Sequence, residues 1–194
     1  MTAPGAPDLS PPPAAGPRTT DTGRRRSAVR VGLGIDAHRF ARERPLVLAG
    51  VRLRERDGLL GHSDADVVTH AIMDALLGAA GLEDIGHYFP DTDPAFAGAD
   101  SVRLLGEVVN LLAQAGWGVV NVDAVVVCEE PKIAPHRAAM RAVLSGVLGI
   151  APDRVGVRGT TTEAMGFTGR GEGILCQAVA LVERELDEPS TEHP

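Results

Sequence analysis

Residues 29–40, VRVGLGIDAHRF, constrain the fold more than any other stretch of this chain. The run is apolar and β-branched, carries two glycines, and ends in Asp36-Ala37-His38. Such a run reads as a strand, and in a strand residues i and i+2 project from the same face. The strand therefore finishes by aiming a carboxylate and an imidazole, both good metal or proton ligands, at one point. The segment Gly32-Leu33-Gly34-Ile35-Asp36-Ala37 also matches G-x-G-x-x-A. That pattern binds dinucleotides only where a helix follows at once, so that the pyrophosphate sits on the helix N-terminus. Here HRFARERPLVLAG follows, with Pro45 and no apolar helical stripe. The dinucleotide reading fails on context.

Beyond this strand, expected over Val29 to Ala37, β-like and helical patterns alternate. Leu46-Val47-Leu48 makes a second short strand. From Asp64 to Ala80 an apolar stripe (Val67, Val68, Ala71, Ile72, Ala75, Leu76) predicts a helix stopped by Gly81. The polar segment DIGHYFPDTDPAFAGAD is too long for a mere connection. Ser101 to Ala115 predicts a second helix stopped by Gly116, and Val119 to Cys128 a buried strand. A third helix runs from Pro135 to about Leu148. Arg154 to Gly159 is a strand, TTTEAMG a short helical turn, and Gly173 to Glu183 the last strand. The expected class is α+β, a sandwich in which one mixed sheet is covered on one face by helices.

Residues 1–27 hold six prolines and almost nothing that builds a core, which predicts a disordered leader. Residues 28–186 form the single domain, and 187–194 a flexible tail. A net charge of −7 speaks against an electrostatic nucleic-acid binder. No apolar run approaches a membrane span. Cys128 and Cys176 lie far apart in apolar runs and read as buried reduced thiols, consistent with a cytoplasmic protein.

Three constellations carry chemistry. By itself Asp36-x-His38 is weak, since a surface salt bridge at a strand end has the same spelling. His70, among apolar neighbours on the first helix, supplies a third ligand. Asp66 and Asp74 lie four residues to either side on its face, so that a carboxylate can orient its ring. A core histidine satisfied by a neighbouring acid would look the same. Together Asp36, His38 and His70 give the O/N/N set of a catalytic zinc, with one tetrahedral position left for substrate. Second, Thr160-Thr161-Thr162-Glu163 leads into the Gly-rich GFTGRGEG with Arg170. Hydroxyls, backbone N–H groups and a guanidinium suit a phosphate, and Glu163 a magnesium ion, although a tight β-turn explains the glycines equally well. Third, GHSD sets His62 and Ser63 at a helix N-terminus, which attracts anions, or else Ser63 or Asp64 is a plain N-cap. Lys132 in EEPKIAP reads more simply as a solvated lysine.

In this order GIDAHRF, LLGHSDADVVTHAIMDALLGAAGLEDIGHYFPDTD, NVDAVVVCEEPKIAPH and TTTEAMGFTGRGEG closely resemble the 2-C-methyl-D-erythritol 2,4-cyclodiphosphate synthase family, over residues 29 to about 184. The resemblance implies a homotrimer with the sheets around a central axis and active sites at subunit interfaces. It implies that 4-diphosphocytidyl-2-C-methyl-D-erythritol 2-phosphate, a cytidine diphosphate-linked substrate of the non-mevalonate isoprenoid pathway, is cyclised with release of CMP. Carried over by motif, Asp36, His38 and His70 hold zinc (manganese or another divalent ion being the alternative), and Glu163 holds a magnesium ion bridging the phosphates. His62 and Thr161 stabilise the transition state. Asp84 holds the erythritol hydroxyls, with Ser63, Ile85 and Gly86 beside it and Phe89, Pro90, Asp91, Thr92 and Asp93 covering that end. Cys128, Glu129, Glu130, Pro131, Lys132, Ile133 and Ala134 form the cytidine pocket, with Lys132 at its phosphates. Thr160 and Thr162 flank Thr161, while Phe167 and Arg170 border the 2-phosphate. Arg170 and Glu172 are also candidates for lining the trimer axis.

The pair Glu129-Glu130 departs from the family, which usually carries less charge there, and this bears on the nucleotide contacts. Twenty-seven leading residues cannot hold the cytidylyltransferase domain to which some members are fused, so a single-function enzyme is expected. The competing readings are a zinc phosphohydrolase, with Asp66 or Asp93 as general base, and a trimeric binding protein that has lost catalysis.

Overall fold

The computed structural model describes residues 27–186. The Pro-rich leader and the C-terminal tail lie outside the described residues, except Ser27, which opens the first strand. Seven strands and five helices follow: β1 (Ser27–Ala41), β2 (Leu46–Leu48), β3 (Val51–Arg54), β4 (Gly58–Leu59), α1 (Val67–Ala80), α2 (Ile85–Tyr88), α3 (Ser101–Gln114), β5 (Gly118–Val127), α4 (Arg137–Leu148), β6 (Val155–Thr160), α5 (Gly166–Gly169) and β7 (Gly173–Glu185). A five-stranded sheet runs β4-β1-β7-β5-β6, and β2 and β3 make a separate pair. β5 and β6 are parallel, joined across α4, and the other neighbours are antiparallel, so the sheet is mixed as expected.

One face of the sheet carries the helices. α1 is buried almost all round, as a helix between a sheet and a second helix layer must be; it packs on β1 and β7 and against α3. Ile72, Met73, Leu76 and Leu77 meet Leu105, Leu112, Met140, Leu144 and Ile174 in one core. The other face is uncovered in the single chain. There Val29, Val31, Leu33 and Ile35 are 55–66% exposed in a row along β1, with Val179 of β7 beside them. No helix among the described residues is long and apolar enough to cross a membrane.

The two glycines of β1 are explained by packing. A Cβ on Gly34 would lie 2.0 Å from the Ala71 carbonyl oxygen, and one on Gly32 2.0 Å from that of Ala75. The backbone of α1 rests directly on the backbone of β1, an approach that only glycine allows.

Several elements differ from the sequence expectation. The first helix starts at Val67 rather than Asp64, because Ala65 has φ +59° and the Asp66 side chain caps the helix. TTTEAMG is a turn, not helical: Glu163 and Ala164 both have positive φ, and only then does α5 begin. The polar segment after Gly81 contains α2 and a 3₁₀ turn at Pro94–Phe96, capped by Asp84 and Asp93. β3 and β4 were too short to show a period.

Candidate active site

β1 carries Gly32, Gly34, Asp36 and His38 on its helix-facing side, and the close approach at Gly34 brings His70, the neighbour of Ala71, over the end of the strand. One Asp36 carboxylate oxygen, Oδ2, lies 2.9 Å from His38 Nε2 and 3.0 Å from His70 Nδ1. The two ring nitrogens are 3.2 Å apart. Ligands on one tetrahedral ion at about 2.0–2.1 Å stand roughly 3.3 Å from each other, so this O/N/N trio has nearly the spacing of a loaded divalent site. The group is the one cluster of three or more His, Cys, Asp or Glu ligands found among the described residues. Burial opposes ionisation of Asp36, but hydrogen bonds from His38 and His70 outweigh it and hold the carboxyl well below the usual range. For His70 burial favours the neutral ring, and the Asp36 carboxylate outweighs it, raising the pKa.

The other nitrogen of His70 corrects the sequence expectation. Neither Asp66 nor Asp74 orients it. Nε2 lies 2.9 Å from Ser101 Oγ and 3.1 Å from Ser63 Oγ, both buried. Ser101 Oγ in turn donates to the Asp64 carboxylate, which also accepts the Ser101 N–H. Asp66 is fully buried and accepts from the N–H groups of Ala49, Gly50, Val68 and Thr69 and from the Thr69 hydroxyl. It ties the start of α1 to the turn after β2. Asp74 accepts from Ile85 N and holds α2. Four-residue spacing placed these acids on the helix correctly but not their partners, and nothing local links Asp64 to Ser101.

His62 and Ser63 are likewise not at the helix N-terminus, which begins four residues later. The Arg44 guanidinium holds the carbonyls of Gly61 and Ser63, turning Ser63 inward and His62 outward, where its Nε2 contacts the Asp93 carbonyl at 3.2 Å. Asp36, His38, His62, Ser63 and His70 line a cavity of about 450 Å³ together with Ile85, Gly86, Phe89 and Asp91. Asp84 is beside it, its carboxylate accepting from His87 N as the cap of α2. Pro90, Thr92 and Asp93 belong to the same loop without lining the cavity.

The remaining candidates gather elsewhere. Cys128, Pro131, Lys132, Ile133, Ala134, Thr160 and Thr161 line a second, smaller cavity of about 150 Å³. Thr161 Oγ1 donates to Glu163 at 3.1 Å, and Thr162 Oγ1 bonds Met165 O and Thr168 Oγ1. Glu129 accounts for one of the two unusual acids: its carboxylate accepts from the N–H groups of Thr162 and Ala164 and so clamps the left-handed turn at Glu163-Ala164. Glu130 sits 3.7 Å from Lys132 and 3.9 Å from Arg54. Both cysteines are free and buried, as expected of reduced thiols; burial and the Glu130 charge push the Cys128 thiol up to about 11, and burial raises Cys176 further. Arg170 is paired with Glu172 at 2.6 Å and lines a third cavity with Glu129, Glu130 and Thr168. Phe167 is exposed on α5.

The two clusters occupy the same end of the sheet on different strands. His38 pairs with Ile174 and Thr160 with Val127, itself opposite Leu175. Between β1 and β6 lie β7 and β5, so the clusters are separated by roughly 14 Å, three strand spacings.

Comparison with known proteins follows the same motifs. Residues 29–183 match the YgbB family. A 2-C-methyl-D-erythritol 2,4-cyclodiphosphate synthase of Rubrobacter xylanophilus is 62% identical over 160 residues, covering 81% of this chain and 96% of that protein. Among solved structures, the bifunctional IspDF of Campylobacter jejuni superposes with a TM-score of 0.79 at 38% identity, over 82% of this chain and 43% of that longer one. IspF of Plasmodium falciparum in complex with CDP gives a TM-score of 0.71 at 32% identity, over 81% of this chain and 97% of that one.

Proposed function

The chain belongs to the YgbB family, and on that premise we propose that Asp36, His38 and His70 hold a zinc ion beside the phosphorus at which an intramolecular phosphoryl transfer occurs. The protein is an enzyme of the non-mevalonate isoprenoid pathway. It converts 4-diphosphocytidyl-2-C-methyl-D-erythritol 2-phosphate to 2-C-methyl-D-erythritol 2,4-cyclodiphosphate. An oxygen of the 2-phosphate bonds to the diphosphate phosphorus nearer the erythritol, the bond from that phosphorus to the bridging oxygen breaks, and CMP leaves with the electron pair. Zinc, and a magnesium ion held by Glu163, supply when bound the positive charge that this phosphate-rich reaction needs. The nucleophile is already an anion, so the side chains have to position and neutralise rather than act as strong bases.

The observation that carries this reading is the convergence of Asp36, His38 and His70 in one cavity that Ile85, Gly86, Phe89 and Asp91 also line. In the proposed arrangement His62 and the Thr161 hydroxyl contact the phosphate oxygens as charge builds on them, and Asp84 holds the erythritol hydroxyls. The segment Cys128–Ala134 receives the cytidine, with Lys132 at its phosphates, and Phe167 and Arg170 border the 2-phosphate. Groups that stabilise one phosphoryl centre stand within about 3 Å of its oxygens, whereas the two clusters of one chain are roughly 14 Å apart across the sheet. A neighbouring copy supplies the missing half. A homotrimer packed through the uncovered apolar face of β1 and β7 fits that requirement, and its buried thiols fit a reducing cytoplasm.

The hydrolase alternative loses its base. Asp66 is enclosed by five donors, and the Asp93 carboxylate caps the turn at Pro94–Phe96. In ¹⁸O-water the expected products are cyclic diphosphate and CMP, neither carrying solvent oxygen. An open-chain bisphosphate with one labelled oxygen would overturn the cyclisation. Thr161→Ala tests the other cluster: kcat should fall by about 10²–10³ with KM little changed, if the hydroxyl meets charge present only in the transition state. A higher KM at unchanged kcat would make Thr161 a ground-state contact.

A further inference from the structure

We infer that Ser101 and Asp64 are positioning residues for the metal site, fixing His70 as the ring tautomer that carries its proton on Nε2 and presents a bare Nδ1 to the ion. The inference rests on the proposed metal site and adds to it two residues that touch neither ion nor substrate. It follows from counting protons. The Asp64 carboxylate only accepts hydrogen bonds, and Ser101 meets it twice, through its backbone N–H and through its hydroxyl. A serine hydroxyl has one proton, and here Asp64 receives it. The Ser101 oxygen therefore faces His70 Nε2, 2.9 Å away, with lone pairs only. Were Nε2 bare, two acceptors would confront each other in a buried site. The proton must sit on Nε2.

Ser63 Oγ accepts from Ala65 N and lies 3.1 Å from Nε2; with its own proton directed to Ser101 Oγ, 3.5 Å away, its oxygen also faces Nε2 as an acceptor. In the metal-free chain Nδ1 shares a hydrogen bond with Asp36 Oδ2; an ion seated between Asp36, His38 and His70 displaces that proton, and with Nε2 holding the other one it meets the Nδ1 lone pair. A histidine ligand held through its other nitrogen by a hydrogen-bonded acceptor loses rotational freedom and gains basicity. The holders are themselves fixed. Ser101 is fully buried at the start of α3, and Asp64 is pinned by its own N–H donating to Ala99 O. The metal site is thereby coupled to the junction of α1 and α3, not to the helix that bears His70 alone.

Two variants of the full chain separate this from a purely structural role. Ser101→Ala removes the acceptor. Asp64→Asn keeps the size but permits the chain to reverse: the amide donates to Ser101, Ser101 donates to Nε2, and the proton moves to Nδ1, where it blocks the ion. Zinc affinity, measured by competition with a chromophoric chelator, should fall about 10–100-fold in both, at metal-free melting temperatures close to the parent's. If Ser101→Ala fails to fold, the isosteric Asp64→Asn decides. ¹⁵N shifts of the His70 ring in the zinc-loaded parent should show Nε2–H together with a metal-bound Nδ1. Parental zinc affinity in Asp64→Asn, or a zinc-loaded parent whose Nε2 carries no proton, would overturn the inference. If instead the parent binds zinc no better than His70→Ala does, the metal site itself is wrong, a result distinguishable from the first.

Discussion

His70→Ala is expected to be purified without zinc and to lose at least 10³-fold in kcat/KM, while the fold persists. The loss follows from geometry: of three donor atoms spaced 2.9–3.2 Å apart, the variant keeps a carboxylate and one imidazole, too few for a closed O/N/N site. A catalytic cation contributes several kcal/mol of charge stabilisation, and about 4 kcal/mol corresponds to 10³ in rate. The fold should survive because the stripe that docks α1 (Val67, Val68, Ala71, Ile72, Ala75, Leu76) is untouched and fully buried. Ser63, deprived of Nε2, lines a cavity that water can enter. Elemental analysis together with steady-state kinetics decides the matter. Zinc retained at one per chain would remove His70 from the ligand set, and full activity without zinc would remove the metal from the mechanism.

Gly34→Ala should be among the most damaging single-methyl changes in the sheet. The added carbon would meet the Ala71 carbonyl oxygen at 2.0 Å and Ala75 N at 2.7 Å. Both are backbone atoms of a packed helix, so no side chain can swing aside, and β1 and α1 must separate by about an ångström. Overpacking of this kind costs about 1–3 kcal/mol, occasionally more. With two backbone clashes we expect about 3 kcal/mol, or a melting temperature lower by roughly 6–12 °C in a chain of this size. The displacement also carries His70 away from Asp36 and His38, so zinc affinity should drop in the same variant. Gly146→Ala on α4, where a Cβ meets nothing within 4 Å, is the control and should leave the melting temperature unchanged or slightly higher. A Gly34→Ala protein that melts with its parent would refute the close docking of α1 on β1.

What the sequence determined by itself was periodic or contiguous. A β-branched run makes a strand, and the two-residue repeat of that strand set Asp36 and His38 on one face. The 3.6-residue stripe made α1 and put His70 on the same helix as its apolar anchors. These are properties of a few consecutive residues, and no tertiary partner had to be known. Tertiary structure decided everything that depends on partners distant in the chain. Gly32 and Gly34 spell a dinucleotide motif, yet their role is set by α1, some forty residues on. Asp66 has the spacing of a ring-orienting acid, but five donors around it make it the cap of α1, while the orienting role falls to Ser101 and Asp64, brought together by the packing of α3 on α1. The turn at Glu163-Ala164 looked helical by composition and is held in the left-handed region by Glu129 from the loop after β5. The candidate residues also part into two clusters, because their strands stand at β1 and β6 of a sheet whose order the chain does not spell. Hydrogen-bond partners and strand order are selected by the packing of whole elements, and periodicity carries no record of them.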